Sequence, residues 1–297
     1  YTCALDDNGV SCWGVNDHGQ TDVPTDLLNP VAISAGKSHT CAIDDNGVRC
    51  WGRNDYEQTD VPIDLVNPVM VSPGSFGTCA LDDNGVRCWG RSWDGITDVP
   101  SDLVNPVVVS TTESHSCALD DNGVQCWGNA DSGRLDVPNL SNPVSLSTNT
   151  SHSCALDDNG VHCWGINNKG STDVPENLLN PKAVEAGDSY TCALDDNGVS
   201  CWGNNHYGAT NVRTDLVNPI SISTGRDHVC ALDVNGVHCW GSNYINPLLN
   251  PKAISVGYGH SCALDENGIH CWGDNRYGQT DVSKTFIFDP DNDGLSI

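Results

Sequence analysis

The sequence predicts an all-β repeat protein in which about eight short, three-stranded units follow one another and close into a ring. The segment Cys-Ala-Leu-Asp-Asp-Asn-Gly-Val-x-Cys-Trp-Gly recurs eight times with minor variation, in most cases at intervals of 38 residues. In each copy, short runs rich in β-branched and other apolar residues are separated by turn residues, and no run shows the 3.6-residue period of a helix. A unit of this size cannot bury a core alone, so the units must stack on one another.

Each unit is predicted to contain a first, a second and a third strand. In the second copy, Gly36 ends the first strand, and Asp-Asp-Asn-Gly at residues 44–47 forms the turn between the other two. The predicted strands of this copy are residues 31–35, 39–43 and 48–52. A loop over residues 54–58 follows, and an Asn-Pro pair then begins the next unit.

All sixteen cysteines belong to the repeat, two in each unit and nine positions apart. The hairpin would place Cys41 opposite Cys50, with Cβ atoms about 4.5–5.5 Å apart, which is close to disulfide geometry. We expect one disulfide hairpin per unit and hence an extracellular or cell-surface protein; reduced core thiols and zinc binding are the alternatives. The predicted pairs are Cys3–Cys12, Cys41–Cys50, Cys79–Cys88, Cys117–Cys126, Cys154–Cys163, Cys192–Cys201, Cys230–Cys239 and Cys262–Cys271.

Two further repeated residues are predicted to be structural. The tryptophan of each repeat should pack between neighbouring units, although an exposed ring of binding tryptophans is an alternative. Five units carry a histidine two positions before the first cysteine, as at His39, but no acid or nucleophile accompanies it in a constant relation. We therefore expect each of these histidines to bond to a neighbouring unit rather than to act in catalysis.

The two ends of the chain suggest how the ring closes. The first unit, beginning at Tyr1, has only a second and a third strand, whereas residues 284–288 form a β-rich segment near the other end. Pairing of these residues with the first unit would close the ring and remove exposed sheet edges. The ring would then comprise residues 1–288 and eight units; seven units with one displaced copy is the alternative.

The repeat resembles the bacterial branch of the regulator of chromosome condensation repeat family. The resemblance rests on Ala-Gly-x-Ser-His-x-Cys-Ala-x-Asp-x-Asn-Gly-Val-x-Cys-Trp-Gly followed by Asn-Asp-x-x-Gln-Thr-Asp-Val-Pro, and it covers residues 1 to about 283. It implies that the units are the blades of a closed β-propeller. The blades are similar in size to those of propeller-type β-lactamase inhibitor proteins.

The charge of the chain limits its partners. The sequence has 13 Lys and Arg against 39 Asp and Glu, a net charge of -26. Because nucleic acid and anionic membrane surfaces are bound by basic proteins, neither is an expected partner. No stretch has the length of a membrane span, so membrane insertion is not expected either.

A calcium motif is predicted after the ring, in residues 289–297. Asp289, Asp291 and Asp293 alternate and are followed by Gly294, as in loops that gather oxygen ligands around Ca²⁺. The segment resembles a thrombospondin type-3 or dockerin-like calcium motif, and a plain acidic linker is the alternative. Either way, we expect it to begin a further module. Calcium is the only cofactor that the sequence suggests, and no organic cofactor is expected.

The loop after Trp-Gly varies between copies, while the scaffold positions hardly change. Variation confined to one loop, with aromatic and basic residues in it, is typical of an interface. Neutral drift of the loop is the alternative. The predicted binding residues are His18, Tyr56, Trp93, Asp94, Lys169, His206, Tyr207, Tyr244, Arg276 and Tyr277.

These observations favour a non-catalytic, extracellular protein-binding module that recognises a protein partner through the variable loops on one face. The alternative is a structural protein that self-associates into a surface layer or filament, with calcium-dependent assembly. An enzyme that cleaves glycans with loop carboxylates is a third hypothesis, but the sequence contains no recognisable catalytic motif, so we do not expect an enzyme.

Overall fold

The structure is a computed structural model, and it describes residues 1–242 and 251–282. Over these residues the chain forms eight antiparallel sheets, and its only helical segments are single 3-10 turns at Asp131–Gly133 and Asn168–Gly170. Seven sheets have three strands and the first has two, as the repeat predicts. We call the sheets blades 1–8 in chain order.

The strands follow the predicted pattern closely. The first strands are β3 Ala32–Ala35, β6 Met70–Pro73, β9 Val108–Thr111, β12 Ser145–Thr148, β15 Ala183–Ala186, β18 Ser221–Thr224 and β21 Ala253–Val256. The middle strands are β1 Thr2–Asp6, β4 His39–Asp44, β7 Gly77–Asp82, β10 His115–Asp120, β13 His152–Asp157, β16 Tyr190–Asp195, β19 His228–Asp233 and β22 His260–Asp265. The outer strands are β2 Gly9–Trp13, β5 Gly47–Gly52, β8 Gly85–Gly90, β11 Gly123–Gly128, β14 Gly160–Gly165, β17 Gly198–Gly203, β20 Gly236–Gly241 and β23 Gly268–Gly273.

The hairpin register confirms the predicted disulfides. In blade 2, Cys41 lies opposite Cys50, and the same pair of positions is bridged in each of the eight blades. No free cysteine is found in the described part of the chain. The alternatives of reduced thiols and of zinc binding are therefore wrong.

The blades fall into two compact bodies. The N-terminal body, Tyr1–Val137, holds blades 1–4, and the C-terminal body, which begins at Pro138, holds blades 5–8. Within each body the middle strands are the most buried elements; all six residues of β4, for example, are buried. In the N-terminal body, β4 is buried on both faces because blade 2 lies between blades 1 and 3.

The repeated tryptophan joins adjacent blades, as predicted. In the N-terminal body, Trp89 of blade 3 packs against Cys41 and Ile43 of blade 2. Its indole N–H donates to the carbonyl oxygen of Gln58, in the loop that leaves blade 2, at 3.0 Å. In the C-terminal body, Trp202 of blade 6 does the same with the carbonyl oxygen of Ser171, also at 3.0 Å. The tryptophan thus supplies both apolar area and a satisfied polar contact between blades.

The buried histidines also bond to the next blade. His39 Nε2 lies 2.8 Å from the hydroxyl of Thr78, and His152 makes the same contact with Thr191. His39 and His152 are fully buried. These contacts confirm the structural interpretation of the repeated histidine in these blades.

Three predictions fall on residues that the structure does not describe. They concern the pairing of residues 284–288 with the first blade, the calcium motif at Asp289, Asp291 and Asp293, and the loop residue Tyr244. All three lie outside residues 1–242 and 251–282.

Removal of one disulfide should measurably destabilise the N-terminal body. The Cys41→Ala, Cys50→Ala double variant opens a ring of about ten residues, which should lower the free energy of unfolding by about 2–3 kcal/mol because the unfolded chain gains entropy. Denaturant titration of both proteins measures the difference. The difference should shrink after full reduction, because wild type then lacks the bridge too. Equal stabilities under oxidising conditions would contradict the prediction.

Candidate functional site

Two loops of each blade meet at the same end of its sheet. A short loop joins the first strand to the middle strand, as at residues 36–38, and a longer loop follows the outer strand, as at residues 53–58. They share an end because the three strands are antiparallel. We call this end of a blade its loop end. The Asp-Asp-Asn-Gly turn lies at the other end, which we call the turn end.

The carboxylates of the turn end serve the scaffold. Asp44 accepts hydrogen bonds from the backbone N–H of Asn46 at 2.8 Å and of Leu28 at 3.0 Å, and Asp45 accepts from the side chain of Asn29 at 2.6 Å. Blade 3 repeats this arrangement. These acids tie the linker between blades to the hairpin. Within residues 1–242 and 251–282, no group of three or more acidic, histidine or cysteine residues is placed to hold a metal ion.

Three blades add a histidine to the turn-end aspartate. His162 Nε2 lies 3.0 Å from Asp157 Oδ1 in blade 5, and blades 7 and 8 contain the same pair. Burial alone would raise the pKa of Asp157. The backbone N–H groups of Ser141 and Asn159, together with the His162 imidazole, lower this pKa below its ordinary value. The pair therefore holds an ionised aspartate in place.

The longer loop is a rigid platform. In blade 2, the Asn54 side chain accepts from the backbone N–H of Thr59 at 3.0 Å and donates to Asp60 at 2.7 Å. The buried Gln58 side chain accepts from the backbone N–H of Tyr56 at 2.9 Å. The same asparagine contacts recur in blades 1, 5 and 8. Residues between the asparagine and the glutamine are therefore held by their neighbours and presented outward.

The predicted binding residues lie in the longer loops. The loop with Trp93 has Ser92 and Ile96 in place of the asparagine and the glutamine, and backbone hydrogen bonds such as Gly95 N–H to Ser92 O at 3.1 Å hold it. Trp93, Tyr207 and Tyr277 are exposed to 76%, 48% and 60% of their surface. His18, Lys169, His206 and Arg276 are also exposed, whereas Tyr56 and Asp94 are half-buried. His18, Tyr56, Trp93 and Asp94 belong to the N-terminal body, and the others belong to the C-terminal body.

The structure brings Trp93 and a residue that the sequence analysis missed, Phe76, together against Tyr56. The Tyr56 ring meets the Trp93 ring edge-on at 5.5 Å and the Phe76 ring edge-on at 5.4 Å. Phe76 lies in the short loop of blade 3. Three aromatic rings from two adjacent blades therefore form one contiguous surface.

Three cations surround the Phe76 ring. The guanidinium groups of Arg91 and Arg53 lie 4.7 and 5.6 Å from the ring centroid, and Lys37 Nζ lies 5.8 Å from it. Arg91 also lies over the Trp93 ring at 5.5 Å. These are cation–π distances, so the cations fix the aromatic rings in place. We call this group the Phe76 cluster; it consists of Lys37, Arg53, Tyr56, Phe76, Arg91 and Trp93.

Each cation of the cluster also has an acidic neighbour. Lys37 Nζ lies 3.2 Å from Glu113, and Arg53 Nε lies 2.7 Å from Asp55. Arg91 forms an ion pair with Asp94, and this pair holds Asp94, one of the predicted binding residues, beside the cluster. The Nε of Arg91 is buried and has no hydrogen-bond partner among the described residues.

A comparison of the copies would have located this cluster. Phe76 stands where four other blades carry serine, at Ser38, Ser114, Ser151 and Ser189. The arginines Arg53 and Arg91 directly follow Trp-Gly, where five other blades carry uncharged residues such as Val15 and Ile166 and blade 8 carries Asp274. Sequence variation in the short loop therefore indicates the candidate binding surface in addition to the variation in the longer loop.

The C-terminal body contains smaller groups. Arg226 lies 4.7 Å from the Tyr258 ring, and His206 meets Tyr207 edge-on at 4.6 Å. Burial raises the pKa of Asp227 and of Asp188 above the ordinary range of aspartate. The Arg226 guanidinium opposes this rise in both cases.

Part of the sequence matches a known repeat family. The sequence model of the regulator of chromosome condensation (RCC1) repeat matches residues 31–58, 144–171, 182–209, 220–244 and 252–279. No curated protein matches the chain in sequence. Along residues 1–242 and 251–282, no helix is long and apolar enough to cross a membrane.

Three solved structures illustrate the fold. The ectodomain of the receptor kinase CR4 from Physcomitrella patens is 22% identical over 82% of this chain and 72% of that chain, with a TM-score of 0.62. The CRINKLY WD40 ectodomain of the Arabidopsis thaliana receptor kinase ACR4 is 22% identical over 85% and 96%, with a TM-score of 0.61. Prp20p from Saccharomyces cerevisiae is 19% identical over 88% and 80%, with a TM-score of 0.55.

The repeat matches, the three-stranded blades and these structural neighbours lead to one conclusion: the chain contains regulator of chromosome condensation (RCC1) repeats and has the fold of an RCC1-type repeat β-propeller.

Proposed function

We propose that this chain is a non-catalytic, extracellular binding module that recognises a protein partner through the loop ends of its blades. The observation that carries the proposal is Trp93, which is 76% exposed in a loop closed by backbone hydrogen bonds and lies beside Tyr56 and Arg91. Tryptophan, tyrosine and arginine are the residue types that dominate binding energy at protein interfaces. Rings held by neighbouring cations lose little freedom on binding, which lowers the cost of association.

The cysteines support the proposed location. The chain has eight disulfides, one in each blade. Disulfides of this kind persist in oxidising surroundings outside the cytosol. Two of the structural neighbours are receptor-kinase ectodomains, and a third, Prp20p, binds Gsp1p and histones. Proteins of similar fold are thus found as ectodomains and as protein-binding proteins.

Loss of four aromatic residues of the longer loops should abolish binding without unfolding the protein. The test variant combines Tyr56→Ala, Trp93→Ala, Tyr207→Ala and Tyr277→Ala. Secreted and surface proteins of the source organism are cross-linked to the wild-type chain, and the recovered partner is then titrated against both proteins. We expect the variant to bind at least roughly tenfold more weakly, because such anchors each contribute more than about 1 kcal/mol. Its melting temperature should match that of wild type.

The turn end offers a matched control. Val69 and Val107 are exposed to 70% and 60% of their surface and directly follow the Asn-Pro pair at the turn end of blades 3 and 4. The Val69→Ala, Val107→Ala variant removes exposed apolar area of a similar kind from the opposite end of the blades. It should bind like wild type. A partner that is lost with the valines and kept with the four aromatic substitutions would refute the proposal.

A further inference from the structure

We infer that the Phe76 cluster is the docking point for a short, extended, acidic segment of the partner, which places an apolar side chain against Trp93 and carboxylates beside Lys37 and Arg53. This inference rests on the proposed function and names the chemistry of the partner at one site. The segment is a peptide rather than a glycan or a nucleic acid.

The distribution of charge supports an acidic partner. The chain has 13 basic residues against 39 acidic ones, and three of the 13 surround a single ring at 4.7–5.8 Å. Because Glu113, Asp55 and Asp94 offset these three cations, the cluster is about neutral, whereas the rest of the chain carries the net charge of -26 and repels carboxylates. An acidic segment would approach this protein most favourably at the cluster, because electrostatic complementarity determines where a charged partner can dock.

The cations retain capacity for a further anion. The Lys37 side chain is 60% exposed and contacts one carboxylate, that of Glu113. Arg53 pairs with Asp55 through Nε, and its two terminal nitrogens have no hydrogen-bond partner among the described residues. The planar guanidinium group can bind a carboxylate through two parallel hydrogen bonds. Neighbouring Asp55 is itself 61% exposed, so it can turn away when a peptide carboxylate arrives.

The aromatic rings specify an apolar anchor. Trp93 is 76% exposed, whereas the seven repeat tryptophans of blades 1–7 are buried. Arg91 lies over the Trp93 ring, and Tyr56 stands edge-on against it at 5.5 Å. A sugar ring would need an open, flat aromatic face to stack on. The Arg91 guanidinium already covers one face of the Trp93 ring. An aliphatic or aromatic side chain needs only the exposed edge and the remaining face.

The size of the cluster matches a short segment. The contacts from Trp93 to Tyr56 and from Tyr56 to Phe76 are 5.5 and 5.4 Å long. In series they span on the order of 10 Å, the length of about three extended residues. Such a segment can place one apolar and two acidic side chains on the cluster.

Selection from a phage-displayed library of random linear peptides tests the inference. The full chain is immobilised, and peptides enriched on wild type but not on Trp93→Ala are sequenced and synthesised. We expect these peptides to combine net negative charge with at least one large apolar residue. Their affinity should fall roughly tenfold between about 0.05 M and about 0.5 M salt, because the contacts are ionic and partly exposed.

Charge reversal gives the matched comparison. The Lys37→Glu, Arg53→Glu variant should bind the synthetic peptides at least roughly tenfold more weakly than wild type. Arg87 is a suitable control, since it is also exposed and paired with an aspartate, Asp64, but lies on β8 outside the cluster. Arg87→Glu should leave the affinity unchanged. The Trp93→Phe variant keeps an apolar ring and should retain most of the affinity.

Three outcomes would overturn the inference: enriched peptides that are basic or uncharged, no enrichment that depends on Trp93, or a glycan array on which neutral sugars bind through Trp93 while peptides do not. The proposed function is judged separately by the cross-linked partner. A partner lost with Tyr207→Ala and Tyr277→Ala but kept with the cluster variants would leave the proposed function standing and this inference refuted.

Discussion

Acidification from about pH 7 to about pH 4 should lower the free energy of unfolding of this protein by about 3 kcal/mol for each histidine buried between blades. Burial lowers the pKa of His39, His152 and His228 to about 4, from the ordinary value of 6.5. All three side chains are fully buried. Nδ1 of His39 and of His152 has no hydrogen-bond partner among the described residues, so a proton there would have no acceptor.

The direction of the effect follows from the two pKa values. Between about pH 6.5 and about pH 4 the histidine of the unfolded chain binds a proton that the folded protein excludes. Stability is therefore fully present above about pH 6.5, is lost as the pH falls, and levels off below about pH 4. In the C-terminal body Glu185 acts in the opposite direction, because burial raises its pKa to about 7. The N-terminal body, with His39, gives the clearer measurement.

The chain itself suggests the matched variant. Tyr190 occupies the histidine position in blade 6, and its hydroxyl donates to the carbonyl oxygen of His228 in the next blade at 2.7 Å, with the carbonyl oxygen of Gly225 3.0 Å away. The short loop of blade 2 has Gly36 at the position of Gly187, which lies against the Tyr190 ring. His39→Tyr should therefore fit and remove the titrating group. Denaturant titration at about pH 7 and about pH 4.5 should show a flatter pH dependence than wild type; an unchanged slope would refute the assignment to His39.

Gly128→Ala should be far more destabilising than Gly123→Ala, although both glycines have a positive φ. Gly128 has φ +114, and a Cβ there would lie 2.8 Å from the carbonyl oxygen of Ser114 and 2.9 Å from the Cα of His115. Gly123 has φ +123, and nothing lies within 4 Å of its Cβ position. Both substitutions strain the backbone by about 1–2 kcal/mol, but only the first also collides with backbone atoms.

We expect a loss of about 4 kcal/mol for Gly128→Ala and of about 1–2 kcal/mol for Gly123→Ala. Chemical denaturation of the two variants and of wild type at neutral pH measures both values. Because the two glycines begin and end the same strand, β11, the comparison separates the collision from the backbone strain. Equal losses would mean that Ser114 and His115, in the short loop and middle strand of the same blade, move aside. The result would also explain why every tryptophan of the repeat is followed by glycine.

Much of the scaffold could be predicted because each blade repeats the same local chemistry. The hairpin at Cys41 and Cys50 has a single register that suits both its turn and its cysteines, so the disulfide followed from spacing. The role of Trp51 was predictable for a similar reason, since a large apolar residue in every copy must pack against the next copy. The outward position of Trp93 followed from its place in a variable loop.

The Phe76 cluster was only partly predictable. Tyr56 and Trp93 were identified as exposed loop residues, but their contact depends on the distance between two blades. Phe76 reaches them from a different loop, and Arg53 and Arg91 reach it from the ends of two outer strands. Contacts of this kind join residues far apart in sequence, and no period within one copy encodes them.

The sequence by itself determined the all-β repeat, the strand and turn positions, the eight disulfide pairs and the structural role of the repeated tryptophan and histidine. These properties depend on interactions within one unit or on a pattern shared by all units. Only the tertiary structure decided that Lys37, Phe76 and Trp93 share one surface, because that surface depends on how adjacent blades stack. The physical reason is that stacking brings together variable residues of different copies. The repeat pattern describes only the residues that the copies share, so it does not predict contacts between variable residues.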